Sequence, residues 1–344
     1  MTTDRLVPPF AVIPGEQVRR ALEGNEKHIV ELVEETYHLH GAGRSVNPPS
    51  LFLRFPDRPS SRIIALPASL GGANRVDGLK WVASVPENTE FGLPRASAVL
   101  VLNDPVTGYP FACLEGSIIS ATRTAASAVL AADRLTRGRP RPTRVGFLGS
   151  GLIARYIHGF LTATGWNFEA IGVHDVNTRN AASFRTYLEQ SGSTSLIAVH
   201  DDPEELIRVS DLVVFATVAS EPHITDPSWF GHRPVVLHIS LRDLAPAVLL
   251  ASTNIVDDVE HCLRAGTSAQ LTEELTGNHR FLHGTLDDVI TGRVSVPAHR
   301  PVVFSPFGLG ILDLAVGKYV YDTVTAAGDL QTIDGFFHEV TRYG

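Results

Sequence analysis

The chain has 344 residues, of which 44% are hydrophobic and 19% charged, so it is long enough for two globular domains with cores of their own. Its formal charge of −8 gives no electrostatic reason to expect nucleic acid or an anionic membrane as a partner. Its two cysteines, Cys113 and Cys262, are too few for a disulfide framework or a cysteine-based metal site.

Targeting signals are not apparent in the sequence. The first residues include Asp4 and Arg5 and lack the apolar core of a signal peptide. No stretch approaches the ~20 apolar residues that a membrane span needs. We therefore expect a cytoplasmic protein.

The first third of the chain changes from a helical to a strand-like pattern. Residues 16–40 carry apolar side chains at helical spacing, which predicts one or two amphipathic helices. Short apolar runs separated by Gly, Pro, Asn and Asp then indicate a β-sheet. These runs lie at residues 51–53, 63–66, 79–82 and 98–102. The turn 103–108 and the apolar residues after it predict a hairpin that returns over 109–114.

Strands and helices alternate through the rest of the chain, after an alanine-rich helix predicted over residues 117–135. The predicted strands are 144–148, 170–174, 196–199, 212–216, 235–239 and 254–256. The predicted helices are one directly after the first of these strands, then 177–190, 202–209, 244–251, 259–265 and an amphipathic helix at 311–326. Such alternation predicts an α/β fold with a parallel, doubly wound sheet.

A glycine-rich turn follows the first strand of this alternating region. Gly149, Gly151 and Ala154 have the G-x-G-x-x-G/A spacing of a dinucleotide-binding turn. The first glycine makes the turn, the second lets backbone approach a pyrophosphate, and the third small residue lets the helix pack on the strand. Asp175 ends the next apolar run, where a carboxylate accepts hydrogen bonds from the ribose 2′-OH and repels a 2′-phosphate. The sequence therefore predicts NAD as the cofactor.

The position of this turn sets the predicted domain organisation. We place a Rossmann-type NAD-binding domain at residues 125–310. An α+β domain for substrate binding and dimerisation comprises residues 1–124 and is completed by 311–344.

Several cations of the first region stand in or beside apolar strands and helices. Lys80 lies within an apolar strand and Arg123 within the alanine-rich helix, where a charge without a partner is costly. Arg54, Arg62 and Arg95 lie at the ends of apolar runs, where snorkelling to solvent is an equally good interpretation. Convergent cations would suit a substrate with several carboxylates.

Asp243 follows a predicted strand of the second region. Carboxyl ends of strands face the ligand crevice in a doubly wound sheet, so Asp243 is a candidate general acid/base or ammonium partner. Capping of the helix predicted from Leu244 is an equally good interpretation. Thr217 and Val218 end another strand and could meet the cofactor by the same rule.

Metal binding is not expected. The pairs Asp257-Asp258 and Asp287-Asp288 are interpreted as helix caps or surface charges. His174, His200, His223, His238 and His261 show no H-x₃-H or H-E-x-x-H spacing.

The order of several short motifs resembles that of the ornithine cyclodeaminase/μ-crystallin family. These motifs are Gly78-Leu-Lys80-Trp, Asn103-Asp-Pro-x-Thr-Gly-Tyr-Pro110, Arg123-Thr-Ala-Ala126, Gly149-Ser-Gly151, Asp243 and Val303-Phe-Ser-Pro-Phe-Gly308. The resemblance runs from about Arg54 to the final helix.

Within that family, two segments are most similar to one branch. Residues 62–68 and Arg95-Ala-Ser97 resemble the N-(2-amino-2-carboxyethyl)-L-glutamate dehydrogenases, which make L-2,3-diaminopropionate for siderophores and peptide antibiotics. Cyclodeaminases carry a glutamate where this chain has Ile64, and a small polar residue where it has Arg95. These departures disfavour ornithine cyclisation and favour a substrate richer in carboxylates.

The resemblance also implies roles for individual residues. Arg54, Lys80 and Arg123 would bind the substrate carboxylate, with Asp243 as the catalytic acid/base and a homodimer as the assembly. Leu152, Ile153, Asp175, Thr217, Val218 and Ser240 would surround NAD, with Pro306 and Phe307 closing the pocket.

The reaction expected on these grounds is NAD-dependent oxidative cleavage of N-(2-amino-2-carboxyethyl)-L-glutamate. Its three carboxylates would engage the cations, Arg62 and Arg95 included. Two alternatives stay open. One is another amino- or imino-acid reaction of the family, including alanine dehydrogenation and cyclodeamination. The other is a μ-crystallin-like binding protein without turnover.

Overall fold

A computed structural model describes residues 7–340, so the prediction made from Asp4 and Arg5 lies outside the described residues. The chain divides into two compact units. Unit 1 runs to Arg123 and resumes at Leu309, and unit 2 spans Thr124–Gly308.

The strands and helices are numbered in chain order within the described residues. The strands are β1 (Phe10–Ile13), β2 (Ser45–Val46), β3 (Leu51–Phe55), β4 (Arg58–Leu70), β5 (Val76–Ser84), β6 (Ala96–Asn103), β7 (Pro110–Glu115), β8 (Arg144–Leu148), β9 (Ala170–His174), β10 (Leu196–Val199), β11 (Leu212–Phe215), β12 (Val235–His238), β13 (Thr253–Val256), β14 (Leu282–Thr285), β15 (Val302–Ser305) and β16 (Thr332–Ile333). The helices are α1 (Gly15–Leu22), α2 (Glu26–Gly41), α3 (Gly116–Leu135), α4 (Leu152–Ala163), α5 (Thr178–Gln190), α6 (Pro203–Val209), α7 (Pro246–Leu250), α8 (Val259–Cys262), α9 (Ser268–Thr276), α10 (Leu286–Ile290) and α11 (Gly310–Ala326), with 3₁₀ turns at Pro86–Phe91 and Pro227–Phe230.

Unit 1 is built on a mostly antiparallel sheet. Its strand order is β16-β1-β7-β6-β5-β4-β2, with β3 paired to β4. The predicted hairpin is confirmed, because β6 and β7 pair antiparallel. The prediction of one or two helices over 16–40 is confirmed with two, α1 and α2, whose apolar residues, such as Val18 and Ile29, are buried.

Helix α11 packs on one face of this sheet at very short range. A Cβ atom at Gly317 would lie 2.1 Å from Leu100 Cδ2, and one at Gly78 would lie 2.7 Å from Leu314 Cδ2. Glycines at these positions let the helix settle deeply onto β5 and β6. The prediction of an amphipathic helix is wrong for its first half, where residues 310–317 are all buried.

Unit 2 is built on a parallel sheet with the order β10-β9-β8-β11-β12-β15-β13-β14. Its pairings are all parallel, which confirms the predicted α/β fold with a doubly wound sheet. Strands β14 and β15 and helices α9 and α10 were not predicted.

No helix within residues 7–340 is both long enough and apolar enough to cross a membrane.

Candidate active site

The strand order of unit 2 identifies the edge at which a ligand would bind. Successive connections from β8 lead outward through β9 to β10, whereas β11 lies on the other side of β8. Ligands of doubly wound sheets bind beyond the carboxyl ends of the strands at such a point of reversal. Gly149 follows β8 and Thr217 follows β11, so two of the predicted cofactor residues lie at this edge.

The glycine turn has the shape that the spacing predicted. Gly149 has a φ of +89°, and a Cβ atom there would lie 2.5 Å from the Ala216 carbonyl oxygen. A Cβ atom at Gly151 would meet no heavy atom within 4 Å, so this side of the turn is open. Ala154, in the first turn of α4, is fully buried. The Oγ of Ser150 is buried and has no hydrogen-bond partner among the described residues.

Asp175 follows β9 and is held by backbone on both sides. One carboxylate oxygen accepts the Ser150 N–H at 2.9 Å, and the other accepts the Asn177 N–H at 2.9 Å. The carboxylate is therefore fixed against the glycine turn. The open face at Gly151, the unpartnered Ser150 Oγ and the fixed Asp175 carboxylate together fit a dinucleotide.

Other residues predicted around the cofactor differ in accessibility. Leu152 and Val218 are exposed, Ile153 is half-buried, and Pro306 is buried. Thr217 and Ser240 are half-buried, and their hydroxyl groups both donate hydrogen bonds to Asp243.

Asp243 is a fully buried carboxylate surrounded by hydrogen-bond donors. Oδ1 accepts from Thr217 and Oδ2 accepts from Ser240, while His238 Nε2 lies 3.2 Å from Oδ2. The half-exposed His223 places its Nε2 3.9 Å from Oδ1. The helix-cap interpretation of Asp243 is wrong, because α7 begins at Pro246 with Ala245 as its N-cap.

These neighbours control the charge of Asp243. Burial by itself raises the pKa of the carboxyl group, but hydrogen bonds and charge from His238, with hydrogen bonds from Ser240 and Thr217, outweigh it and lower the pKa to about 2. Asp243 is therefore ionised at neutral pH. An ionised, water-shielded carboxylate suits a positively charged nitrogen.

The turn that carries Asp243 is strained and anchored. Leu241 has a φ of +70°, a backbone conformation that residues other than glycine and asparagine seldom adopt. Its carbonyl accepts the Ser268 N–H at 2.7 Å, and Arg242 Nη2 donates to the Ala265 carbonyl at 2.6 Å. These bonds hold the turn in place despite the strain.

The Asp257-Asp258 interpretation is only half right. Asp258 is the N-cap of α8. Asp257 is neither a helix cap nor a surface charge: it is buried and accepts the backbone N–H groups of Phe307 and Gly308 at 2.9 and 2.7 Å. It therefore fixes the turn that carries the predicted pocket residue Phe307.

The second acidic pair also departs in part from its interpretation. Asp288 completes a capping box with Thr285 at the start of α10. Asp287, in contrast, is almost fully buried and pairs with Arg293.

The predicted cations of unit 1 are brought to one face of its sheet. Arg54 lies opposite Arg62, and Arg62 lies opposite Ser84. Arg95 Nη1 donates to Ser84 Oγ at 2.6 Å. Lys80 lies on the same face of β5 as Ser84, because alternate residues of a strand share a face.

Lys80 and Arg123 meet at a carboxylate that was not predicted. Lys80 Nζ lies 2.7 Å from Asp313 Oδ2, and Arg123 Nε lies 3.1 Å from Asp313 Oδ1. Burial lowers the pKa of Lys80 to about 8; repulsion by Arg123 adds to this, while Asp313 opposes it. The signal for Asp313 was in the sequence, since it is a charge within the apolar run 311–316.

A parallel sheet with a glycine turn and a fixed acidic residue at its point of reversal defines a dinucleotide-binding fold of the oxidoreductase type. The sequence model of the ornithine cyclodeaminase/mu-crystallin family matches residues 16–328. The chain therefore belongs to this family, as its motifs predicted.

Individual relatives cover nearly the whole chain. N-((2S)-2-amino-2-carboxyethyl)-L-glutamate dehydrogenase of Staphylococcus aureus is 29% identical over 310 residues, 87% of this chain and 90% of its own length. An archaeal alanine dehydrogenase dimer solved with bound NAD has a TM-score of 0.83 and 26% identity, covering 95% of this chain and 99% of its own. The Thermococcus litoralis Delta(1)-pyrroline-2-carboxylate reductase, solved with NADH and L-proline, shares the fold with a TM-score of 0.86 at 24% identity, covering 94% of this chain and all of its own.

Proposed function

We propose that the protein is an NAD-dependent amino-acid dehydrogenase that cleaves N-(2-amino-2-carboxyethyl)-L-glutamate to 2-oxoglutarate and L-2,3-diaminopropionate. The observation that carries the proposal is the set of cations on one sheet face of unit 1: Arg54, Arg62, Lys80 and, through Ser84, Arg95. A substrate with three carboxylates would bind to several of these cations at once. The Staphylococcus aureus relative carries the same activity in its name.

The cofactor would be held by unit 2, at the turn around Gly149 and Gly151. Asp175 would accept hydrogen bonds from the ribose, and its charge would disfavour a 2′-phosphate. NAD⁺ would supply the acceptor for the hydride that leaves the glutamyl Cα.

Asp243 would act on the substrate nitrogen. Its ionised carboxylate would stabilise the positive charge on that nitrogen as the amine becomes an imine. With a pKa of about 2 it would pass a proton on quickly instead of keeping it. Water then adds to the imine carbon, and the carbon–nitrogen bond breaks to release the two products.

In sum, one substrate, one NAD⁺ and one water give 2-oxoglutarate, L-2,3-diaminopropionate, NADH and a proton. The role of unit 1 in this proposal is to bind the carboxylates through its cations. A cytoplasmic location is part of the same proposal, supported by NAD as a co-substrate and by two free cysteines.

A second candidate is dehydrogenation of a simpler amino acid. It is favoured by the 26% identity to the archaeal alanine dehydrogenase, and by the buried cluster of Lys80, Arg123 and Asp313, which lacks only one negative charge. A single carboxylate, such as that of alanine, would balance it.

The decisive experiment is incubation of the protein with NAD⁺ and synthetic N-(2-amino-2-carboxyethyl)-L-glutamate. We expect NADH to appear with equal amounts of 2-oxoglutarate and 2,3-diaminopropionate by mass spectrometry. L-Alanine, L-proline and L-ornithine are assayed in parallel. NADH formation with alanine but no 2-oxoglutarate from the first substrate would select the second candidate. Ammonia and proline from ornithine without net NADH would indicate cyclodeamination, and tight NADH binding with no turnover of any substrate would indicate a binding protein.

The proposal includes a homodimer formed through the sheet face opposite α11. Leu51, Ala65, Trp81 and Val99 form one row across four strands of that face. Leu51, Trp81 and Val99 are exposed by 66%, 41% and 41%. An apolar row of this extent on a single sheet face is typical of a protein interface.

A further inference from the structure

Asp313 is the carboxylate on which the two buried cations of unit 1 converge. It lies in the first turn of α11 and has no exposed surface. Oδ2 faces Lys80 Nζ at 2.7 Å, and Oδ1 accepts a hydrogen bond from Arg123 Nε at 3.1 Å. One side chain thus joins a residue of β5 to a residue of α3.

The packing of α11 determines where this carboxylate lies. Gly78 stands two residues before Lys80 on the same strand face, and Leu314, next to Asp313, would collide with any side chain there. One turn later, a side chain at Gly317 would collide with Leu100 in the same way. Because both contacts leave no space, Asp313 has little room to move away from Lys80.

The charges in this cluster do not cancel. Lys80 and Arg123 carry two positive charges and Asp313 one negative charge, with both cations largely buried. The residues opposite Lys80 on the neighbouring strands, Leu66 and Leu100, are apolar. A buried net positive charge is costly until an anion meets it.

Lys80 and Arg123 also have N–H groups that could donate hydrogen bonds to a substrate carboxylate. Lys80 has three N–H groups, of which one donates to the Ser120 hydroxyl at 3.2 Å, while the ammonium group as a whole forms an ion pair with Asp313. Arg123 engages Asp313 through Nε, and its two terminal nitrogens form the part of the fork that grips a carboxylate bidentately.

The geometry points to Asp313 as a positioning residue, which holds Lys80 and Arg123 in one fixed arrangement and leaves them a single place for one carboxylate of the amino-acid substrate. This inference rests on the proposed function, because it concerns the substrate site of the same reaction. It makes Asp313 act through the two cations without touching the substrate.

The test is Asp313→Asn, which keeps the size of the side chain and removes its charge. Asp313 raises the pKa of Lys80, so its loss lets burial and Arg123 lower that pKa further below about 8. We expect the alkaline limb of the kcat/KM profile to move down by about one pH unit, and KM for the amino acid at pH 8 to rise about tenfold. The KM for NAD⁺ is expected to stay the same.

Two further variants make the result specific. Asp322→Asn removes a carboxylate from the same helix at an exposed position paired with Lys318, and should leave the alkaline limb in place. In a Lys80→Met background the alkaline limb should be absent, and adding Asp313→Asn should change KM no further. The Lys80→Met/Asp313→Asn protein also loses one charge of each sign, so it should fold even if Asp313→Asn alone does not.

Two failures would be told apart. If the wild-type protein turns over its amino acid and Asp313→Asn keeps both the alkaline limb and KM, Asp313 is not a positioning residue and the proposed function stands. If the wild-type protein turns over nothing, the proposed function fails. Calorimetry with 2-oxoglutarate and NADH then still tests Asp313. The inference is supported if affinity for 2-oxoglutarate declines between pH 7 and 9 in the wild type and declines at lower pH in Asp313→Asn. Equal pH profiles for the two proteins would overturn it.

Discussion

Asp243 illustrates how much a single side chain depends on its neighbours. The carboxyl group alone would be a weak acid made weaker by burial, yet three donors on adjacent strand ends keep it ionised. The strained Leu241 and the bonds around it hold this carboxylate in place. Position and charge are therefore both fixed before any substrate arrives, which is the arrangement that electrostatic catalysis requires.

Asp243→Asn should abolish most turnover and leave NAD binding intact. The amide keeps the size of the side chain and one acceptor, but it lacks the negative charge that would stabilise the positive substrate nitrogen. We therefore expect kcat to fall by about 10²–10⁴-fold. Fluorescence titration with NADH and steady-state kinetics would measure the two effects. The exposed Asp201→Asn serves as a control with the same chemical change. Unchanged kcat in Asp243→Asn would remove this residue from the mechanism.

Lys80 should make substrate binding depend on pH near the physiological range. Burial lowers its pKa from the usual 10.5 to about 8, so the ammonium group is mostly charged below pH 8 and mostly neutral above it. As pH rises, the substrate carboxylate loses the positive charge that binds it. KM for the amino acid should therefore increase about tenfold for each pH unit above 8. Initial rates from pH 6.5 to 9.5 would show this, and a flat KM across that range would contradict it.

At the residue scale, sequence reasoning selected both cations and Asp243 as candidates but did not predict which side chains they contact. Asp313 is 190 residues from Arg123 in the chain, so only tertiary packing brings the two together. The helix-cap interpretation of Asp243 was wrong for a reason that the sequence itself contains. Pro246 is a good first residue of a helix, which moves the cap to Ala245 and leaves Asp243 outside.

The glycine turn and the strand before it form the element on which the cofactor proposal depends. The sequence predicted this element well, because its spacing, its buried strand and its following helix are all local features. Strands β1, β14 and β15 were not predicted, although strands β10 to β13 are equally short and were. The sequence of β14, Leu-His-Gly-Thr, has no apolar run, and β1 and β15 each lie between prolines, which are typical of loops.

Two glycines of this turn should respond differently to alanine. Gly149→Ala forces a side chain into a φ of +89° and against the Ala216 carbonyl, so we expect a loss of several degrees in Tm as well as of NAD binding. Gly151→Ala has open space around the new methyl group, so stability should be kept while affinity for NAD falls. Thermal unfolding and NADH titration on both variants would check this. Wild-type affinity in Gly151→Ala would mean that the pyrophosphate does not lie against this residue.

At the scale of the whole molecule, the sheet of unit 1 separates two kinds of surface. One face carries the cations and α11, and the other carries the row that includes Trp81. The period of two residues in β5 produces this division, since Lys80 and Trp81 are neighbours in the chain and point to opposite sides. Substrate binding and self-association would thus use the two faces of the same strands.

Trp81→Glu should therefore weaken the dimer without reaching the cations directly. A charge buried without a partner costs about 3 kcal/mol, which corresponds to about a hundredfold in the dimer Kd. Analytical ultracentrifugation over a range of concentrations would measure it. Val106→Glu places the same charge at an exposed turn residue outside the row and should leave the dimer intact. A monomeric wild-type protein would overturn the assembly proposal.

The two cysteines differ in how accessible their thiols are, and this difference can be used to detect self-association. Cys262 is buried against Asp257 and the Ser305 carbonyl, and burial raises the pKa of its thiol well above the usual range, so it resists thiol reagents. Cys113 is half-buried and lies opposite Val101, in the strand row next to that of Trp81. Burial raises the pKa of the Cys113 thiol as well, but Cys113 is the more accessible of the two cysteines. Its labelling rate would therefore report whether a second copy covers the proposed interface.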